Sequence, residues 1–238
     1  MIQPALVSTA AGDHGIAELG APLSLARLLP GEGAWEVEIG SGKGRYLLRR
    51  CGDSPERRFL AIELVAEYHR LFVGRARRRG AGNWIALRGE ALYLLSVLLP
   101  QGFAAAVHVY FPDPWPKSRH HKRRLFDPES VDLVVGLLAP GGCLYFATDA
   151  LAYGELVAEL LASYPGLAVA RRDRPWDDGP RTNYESKYMA EGRPILRLEA
   201  AQRGAAALHP CGAPGILCAA SSRRSAPAGA ESGLPSAG

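Results

Sequence analysis

The chain has 238 residues, of which 47% are hydrophobic and 22% are charged, and its formal net charge is +4 at pH 7. This length and composition are typical of one large or two small globular domains, and they exclude a wholly disordered or collagen-like protein. No apolar run approaches the roughly 18 residues that span a bilayer, so we expect no membrane partner, whereas the small positive charge favours a polyanionic one.

The cysteines and the N-terminus predict a cytoplasmic location. The first five residues lack the basic-then-apolar layout of a secretory signal. The four cysteines form neither a CxxC pair nor a dense framework, so we expect reduced thiols rather than disulfides or metal ligands. We therefore predict no metal site. The sequence does not indicate an oligomeric state.

Composition divides the chain into three parts. Residues 1–30 are weakly patterned, and Gly20, Pro22 and Pro30 interrupt any helix there, so we expect a loose N-terminal arm. Residues 204–238 are rich in Ala, Gly, Ser and Pro and contain no aromatic residue, which predicts a disordered tail. Residues 31–203 have the hydrophobic patterning of a folded domain.

Within that domain, short apolar runs alternate with longer helical patterns. The predicted strands are Trp35–Ile39, Phe59–Glu63, Trp84–Leu87, Ala105–Phe111, Cys143–Thr148, Leu167–Arg171 and Ile195–Leu198. The predicted helices are Lys43–Arg50, Val65–Arg79, Ala91–Leu98, Pro128–Leu138 and Tyr153–Tyr164. This alternation predicts an α/β fold with a doubly wound, mostly parallel, seven-stranded sheet and helices on both faces. Ligands of such sheets bind beyond the carboxyl ends of the strands, so we examine the residues that follow each strand.

A glycine-rich turn follows the first predicted strand. Gly40, Gly42 and Gly44 allow positive φ and the close approach of a ligand to the N-terminus of the next helix. A tight connection without a ligand is one alternative, and a dinucleotide site is another. The dinucleotide fingerprint is G-x-G-x-x-G, but here the third glycine comes one position early. Glu38, at the end of the strand, would repel a pyrophosphate and attract a cation.

Acidic residues stand at the ends of four further predicted strands: Glu63, Glu90, Asp113 and Asp149. Carboxylates at such positions often cap the following helix, and we expect one or two of these to do only that. Together with Glu38, they favour a ligand that carries positive charge and hydroxyl groups. S-adenosylmethionine has a sulfonium, an ammonium and a ribose, and it fits this description.

These features resemble the Rossmann-like class I S-adenosylmethionine-dependent methyltransferases. The resemblance implies that Glu38 and the three glycines belong to the cofactor-binding turn. It also implies that Glu63 binds the ribose hydroxyls and that Glu90 lies near the adenine. Many relatives have Asp or Asn at the position of Glu90.

A stiff loop and a basic run follow the fourth predicted strand. Pro112, Pro114 and Pro116 end the strand and restrict the backbone on both sides of Asp113. Five of the eight residues from Lys117 to Arg124 are Lys or Arg, and two more are His. Positive charge beside the ligand edge would hold the phosphates of a nucleic acid. By contrast, we interpret the arginines at 75 and 77–79 as a solvated helix end that complements the helix dipole.

Three separate motifs resemble the bacterial tRNA (guanine-N7-)-methyltransferase family. They are F-P-D-P-W-P-K at 111–117, A-T-D at 147–149 and T-N-Y-E-S-K at 182–187, in the order of the family. The resemblance covers roughly residues 35 to 199. Methyltransferases that act on amino groups instead carry a D/N/S-P-P-Y/F/W tetrapeptide at the fourth strand, which this loop does not match.

The family resemblance implies methyl transfer to N7 of guanine 46 in the variable loop of tRNA. Guanine N7 has a lone pair and no proton, so its attack on a methyl group needs no general base. Asp113 is therefore expected to contact the cofactor and to act electrostatically and by positioning.

Substrate-binding residues are also implied by the resemblance. Lys117 and Asp149 would contact the substrate. The residues expected to hold the RNA backbone are Arg119, His120, His121, Lys122, Arg123 and Arg124. The residues expected to hold the target base are Thr182, Asn183, Tyr184 and Glu185. Thr182-x-x-Glu185 is also the pattern of a helix capping box, so a structural role stays open.

Two other functions remain possible from the sequence. The first is a methyltransferase of the same fold with another acceptor, such as ribosomal RNA. The second is a non-catalytic RNA-binding module that retains the fold but has no use for a cofactor.

Overall fold

A nine-stranded mixed sheet forms the centre of the computed structural model, which describes residues 6–203 apart from the side chains of Ala17, Ser118, His121 and Lys122. The strands are β1 (Leu6–Thr9), β2 (Asp13–Gly15), β3 (Trp35–Ile39), β4 (Arg58–Glu63), β5 (Trp84–Arg88), β6 (Ala104–Tyr110), β7 (Leu138–Thr148), β8 (Leu167–Arg171) and β9 (Leu196–Gln202). The helices are α1 (Ile16–Leu19), α2 (Leu25–Leu28), α3 (Arg45–Asp53), α4 (Ala66–Arg78), α5 (Ala91–Tyr93), α6 (Val131–Val135), α7 (Leu151–Ser163) and α8 (Asn183–Ala190). A π-helical turn at Leu94–Leu98 continues α5, and a 3-10 helix covers Ser118–Arg123. The tail predicted at 204–238 lies outside the described residues.

The strand order β2-β1-β5-β4-β3-β6-β7-β9-β8 contains a parallel centre. Strands β5, β4, β3, β6 and β7 run parallel, with Val37 of β3 opposite Leu60 of β4 and Val107 of β6. The chain order reverses between β3 and β6, so their carboxyl ends form the topological switch point. The α/β, mostly parallel architecture predicted from the sequence is confirmed.

The prediction of seven strands is wrong, because β1 and β2 add a short antiparallel extension. Val7 of β1 lies opposite Leu87 of β5 and is fully buried. Arg77 of α4 holds this extension by donating to the carbonyl of Thr9 at 3.0 Å and to Asp13 at 2.8 Å. Residues 6–28 are therefore not the loose arm expected, and Arg77 is not merely solvated. Strands of four and three residues are too short to show a sequence period.

Two hydrophobic layers cover the sheet and fix the helices that flank the switch point. Beneath α3 and α4, Leu47, Phe59, Phe72 and Trp84 are fully buried, and the rings of Phe72 and Trp84 meet edge to face at 5.6 Å. Each such side chain contributes roughly 1.5–3 kcal/mol relative to exposure. This packing holds the N-terminus of α3 against the end of β3.

Element lengths differ from prediction mainly after β6. The helix expected at Pro128–Leu138 is only the five-residue α6, and Leu138 already begins the long strand β7. The sequence patterns do not predict helix α8 (Asn183–Ala190) as an element, although they include its N-terminal capping pattern. Among the described residues, no helix has the length and hydropathy to cross a membrane.

Candidate functional site

The turn between β3 and α3 leaves open space above its backbone. Gly40 and Gly42 have φ of +78° and +53°, and a Cβ atom on either would meet nothing within 4 Å. Gly44 has a different role, because a Cβ there would lie 2.4 Å from the ring of Phe72. The first two glycines thus give a ligand access to the turn, whereas Gly44 permits the helix to pack.

Glu38 is a buried carboxylate beside this turn. It is 3% exposed, and among the described residues its Oε2 atom has no hydrogen-bond partner. Burial raises the pKa of Glu38 to about 8, and the nearby Glu63 also acts in that direction, whereas a hydrogen bond with the backbone of Leu47 and the charge of Arg181 oppose the rise. The hydroxyl of Ser41 in the same turn is also buried and unpartnered within the described part of the chain. Unpaired buried polar atoms are costly, so this turn is suited to a ligand with polar, cationic groups.

Glu63 shapes the same turn from the neighbouring strand. One carboxylate oxygen accepts from the backbone N–H of Gly42 at 2.7 Å, and the other from that of Val65 at 2.8 Å. Each carboxylate oxygen has a second acceptor position. Its predicted contact with ribose hydroxyls is compatible with these bonds and stays a prediction.

Glu90 caps a helix. Its exposed carboxylate accepts from the backbone N–H groups of Leu92 and Tyr93 at 3.1 and 2.8 Å. The capping alternative left open for the strand-end acids therefore holds at this position. Contact with adenine stays a prediction.

The loop after β6 carries Asp113 between two strained residues. Phe111 and Trp115 have φ of +53° and +39°, values that cost a non-glycine residue of order 1–3 kcal/mol. Arg124 holds the loop by donating to the carbonyl of Pro114 at 2.8 Å, while its guanidinium lies 5.1 Å from the ring centre of Tyr153. Asp113 itself is exposed beside the switch point.

The basic run has two kinds of members. Lys117, Arg119 and Arg123 are exposed, and Arg123 also lies over the ring of Trp115 at 5.2 Å. The guanidinium of Arg124 donates to the carbonyls of Pro114 and Trp115 and so supports the loop, and its contact with RNA stays a prediction. His120 packs edge-on against Trp115 at 5.6 Å. The side chains predicted to bind RNA at positions 121 and 122 lie outside the described residues.

Arg181 is a buried cation that sequence reasoning missed. It is 6% exposed, and its guanidinium carbon lies 4.2 Å from the ring centre of Trp176, 5.0 Å from those of Tyr46 and Tyr145, and 5.7 Å from that of Tyr110. Cations within about 6 Å of aromatic rings are attracted to them, most strongly when desolvated. The segment before α8 is therefore pinned to the carboxyl edge of the sheet.

A buried polar chain continues from this cage through the sheet. The hydroxyl of Tyr110 bonds both Arg181 and Nδ1 of His108, and Nε2 of His108 lies 3.3 Å from Glu36. Although burial opposes ionisation, hydrogen bonds from His108 and Arg50 lower the pKa of Glu36 to about 2. The sequence does contain a signal for this chain, because Glu36 and His108 lie inside central parallel strands, where apolar residues are expected.

Two residues of the T-N-Y-E-S-K motif at the start of α8, Thr182 and Glu185, make structural contacts. Thr182 is the N-cap of α8, and its hydroxyl accepts from the backbone N–H of Glu185 at 3.0 Å. Glu185 is fully buried and accepts from the backbone N–H of Arg181 and from Arg197, each at 2.8 Å. The capping interpretation is confirmed for Thr182. That Glu185 holds the target base stays a prediction, and each of its two oxygens already accepts one hydrogen bond beneath the surface.

The remaining predicted residues lie toward the surface of the same edge. Asn183 accepts from Arg45 at 2.8 Å, which links α8 to α3. A second link joins Asp178 to Arg49 at 2.6 Å. Asp149 is half-buried at the end of β7, and Tyr184 is 57% exposed. The structure thus brings the three sequence motifs to the carboxyl ends of β3, β6 and β7.

Comparisons with known proteins agree with this arrangement. Residues 33–198 match the family model described as "Putative methyltransferase". The chain is 34% identical over 177 residues to a tRNA (guanine-N(7)-)-methyltransferase of Nitrosococcus oceani, covering 74% of this chain and 75% of that protein. The protein of the same description from Alkalilimnicola ehrlichii is 36% identical over 186 residues, covering 75% and 77%. The crystal structure of the 16S rRNA methyltransferase KamB aligns with a TM-score of 0.60 at 14% identity, covering 83% of this chain and 99% of that one, and supports the fold.

Proposed function

The chain belongs to the tRNA (guanine-N(7)-)-methyltransferase family, and we propose that it methylates N7 of guanine 46 in the variable loop of tRNA, with S-adenosylmethionine as the donor. The observation that carries this proposal is the meeting of two unlike features at the switch point. A buried carboxyl group with one unpartnered oxygen stands at the end of β3, and a strained loop with an exposed Asp113 and a basic helix follows the adjacent strand β6.

The turn after β3 fits S-adenosylmethionine. This molecule supplies a methyl group attached to a positively charged sulfur. Gly40 and Gly42 would leave room for it, Glu38 would pair with a cationic group, and the remaining acceptor positions of Glu63 would take its ribose hydroxyls. A dinucleotide, the alternative ligand, would place a pyrophosphate against Glu38 and is disfavoured.

The reaction requires alignment and negative charge rather than a base. The guanine N7 lone pair becomes the new bond to the methyl carbon, and the base acquires a positive charge. Asp113, held between the strained Phe111 and Trp115, would stabilise this charge as it develops. Strain of this kind persists where the surrounding structure over-determines the backbone, so the backbone of Asp113 would already be held in place before the substrate arrives.

The exposed cations beside Asp113 would hold the RNA backbone. Lys117, Arg119 and Arg123 are available for phosphates, whereas Arg124 is engaged within the loop. Contacts with phosphates position a nucleic acid without reading its sequence. The choice of guanine therefore has to come from the side chains around Asp113 and α8.

The deciding experiment is an acceptor assay. Purified protein is incubated with labelled S-adenosylmethionine and unmodified tRNA transcript, and the modified nucleoside is identified by mass. We expect 7-methylguanosine at position 46, and none in a transcript with adenine at that position. Label at an exocyclic amine, in protein, or preferentially in a ribosomal RNA fragment would refute the proposal.

Calorimetry separates the enzyme from a non-catalytic RNA-binding module. We expect S-adenosylmethionine to bind the protein without RNA, because the site around Glu38 is preformed. No heat of binding, with or without tRNA, would favour the module. We also propose a cytoplasmic location, which agrees with the free, buried thiols of Cys51 and Cys143.

A further inference from the structure

Three aromatic side chains lie together beside Asp113. We call Phe111, Tyr184 and Tyr188 the aromatic platform. The ring centre of Phe111 is 6.4 Å from that of Tyr184 and 5.6 Å from that of Tyr188, and the two tyrosine rings are 6.1 Å apart. Tyr184 and Tyr188 stand four residues apart on α8, so they share one face of that helix.

Core packing accounts for only part of this cluster, because Phe111 packs against the buried cluster that contains Tyr110 and Trp176, whereas neither tyrosine of the platform belongs to it. The side chain of Tyr184 is 57% exposed, and those of Phe111 and Tyr188 are only partly buried. The strained backbone of Phe111 belongs to the segment that positions Asp113. An exposed aromatic surface therefore lies beside Asp113, in a segment that carries backbone strain.

A planar cation already lies on the platform. The guanidinium of Arg193 is 4.6 Å from the ring centre of Tyr188, and its Nη1 atom is 3.8 Å from Asp149. Burial and the Asp149 carboxylate raise the pKa of Tyr188, whereas Arg193 lowers it. The platform thus combines an aromatic face with a nearby carboxylate, a pairing suited to a flat, positively charged group.

We propose that the aromatic platform, through the exposed face of Tyr184, stacks on the extruded target guanine and stabilises the positive charge that methylation creates on its ring. This inference rests on the proposed function. The N7 lone pair forms the bond to the methyl carbon while the carbon–sulfur pair stays on sulfur, so the positive charge moves to the base. A purine extruded from its own stack recovers stacking on Tyr184, and the aromatic face attracts the cationic product more than the neutral substrate.

The first test is a variant series at Tyr184, measured as single-turnover methylation with saturating donor and tRNA. Tyr184→Leu is expected to lower the rate constant about 5- to 150-fold, the range that corresponds to the loss of one base–aromatic stack. Tyr184→Phe keeps the ring and is expected to stay within about twofold of wild type. The matched control is Tyr93→Leu, because Tyr93 is 48% exposed and follows β5, three strands from β6.

Donor binding shows whether a variant is correctly folded. Calorimetry is expected to give unchanged affinity for S-adenosylmethionine in all three variants, since none alters the turn after β3. The proposed stacking role would be contradicted if the rate for Tyr184→Leu stayed within twofold of wild type, or if Tyr184→Phe lost as much rate as Tyr184→Leu.

The second test uses the wild-type protein and does not depend on any variant. Guanosine monophosphate and 7-methylguanosine monophosphate are compared as ligands at mildly acidic pH, where the methylated ring is cationic. We expect severalfold tighter binding of the methylated nucleotide, with the preference lost in Tyr184→Leu. Equal binding of the two nucleotides would overturn the role of charge.

The outcomes separate this inference from the function on which it rests. If wild-type protein forms no 7-methylguanosine in tRNA, the proposed function fails and the platform fails with it. If wild-type protein is active but Tyr184→Leu is equally active, only the platform fails.

Discussion

The turn after β3 and the loop after β6 adjoin at the switch point but are built in opposite ways. The turn is lined by buried carboxylates and shaped by backbone bonds to Glu63, whereas the loop is strained, exposed and followed by cations. An enclosed polar site suits a small ligand whose charge must be matched, and an open basic edge suits a large polyanion. The difference indicates that substitutions can weaken cofactor binding and substrate binding separately.

The largest effect is expected where the two regions are joined. Arg181→Leu removes the cation from its aromatic cage and takes one hydrogen-bond partner away from Tyr110 and one from Asp178. We expect a loss of roughly 3–5 kcal/mol in the free energy of unfolding, measured by urea denaturation. Arg45→Ala, which removes an exposed contact to Asn183, serves as the control and should change stability by less than about 0.5 kcal/mol. Equal stability of the two variants would show that the cage does not fasten α8 to the sheet.

Asp113→Asn should separate turnover from cofactor binding. The substitution keeps the shape of the side chain but removes the charge beside the reacting base. We expect kcat to fall roughly 100- to 1,000-fold, as when one electrostatic contact to a transition state is lost. The affinity for S-adenosylmethionine, measured by calorimetry, should change little. An equal loss of turnover and affinity would make Asp113 a cofactor ligand alone.

Glu38→Gln should have the opposite signature. We expect the affinity for S-adenosylmethionine to fall roughly 10- to 150-fold, the range for a lost charged hydrogen bond, while kcat at saturating donor changes little. Calorimetry and steady-state kinetics together check this expectation. A fall in kcat with unchanged donor affinity would contradict the assignment of donor binding to the turn after β3.

The same carboxylate predicts a pH dependence. Burial raises the pKa of Glu38 to about 8 in the free protein, so a cationic ligand has to displace its proton. Donor affinity should therefore rise with pH and level off above about 8. Because this pKa lies above the ordinary glutamate value of 4.5, the contribution of Glu38 to folding stability should fall as pH rises between the two values. Both dependences should be weaker in Glu38→Gln, and identical profiles would show that another group titrates.

The smallest effects are expected in the basic run, where two neighbours should differ. Arg123→Ala should weaken tRNA binding and reduce the slope of log K against log salt by about 1, because one phosphate contact is lost. Arg124→Ala should leave the slope nearly unchanged and lower the melting temperature, because Arg124 supports the loop carbonyls. Filter binding over a salt series and thermal unfolding distinguish the two. If Arg124→Ala also reduced the slope of log K against log salt, Arg124 would be an RNA-binding residue as well.

The sequence placed the glycine turn, the strand-end acids and the three motifs at one edge of an α/β sheet. Those inferences depend on local properties: strand and helix periods, glycine and proline conformations, and the rule that parallel strands share a carboxyl edge. The short strands β1 and β2 escaped this reasoning, since four or three residues do not reveal a period. Helix α8 is not predicted either, because the only sequence signal for it is the Thr182 capping pattern.

Tertiary structure alone decided what each charged group does. Among similar-looking acids, Glu90 caps a helix, Glu185 is buried against Arg197, and Glu38 is left with an unpartnered oxygen. Likewise the cage around Arg181 and the platform around Tyr184 join residues that are far apart in the chain. The physical reason is that conformation follows from neighbouring residues, whereas burial and hydrogen-bond partners depend on distant segments that meet only when the sheet has formed.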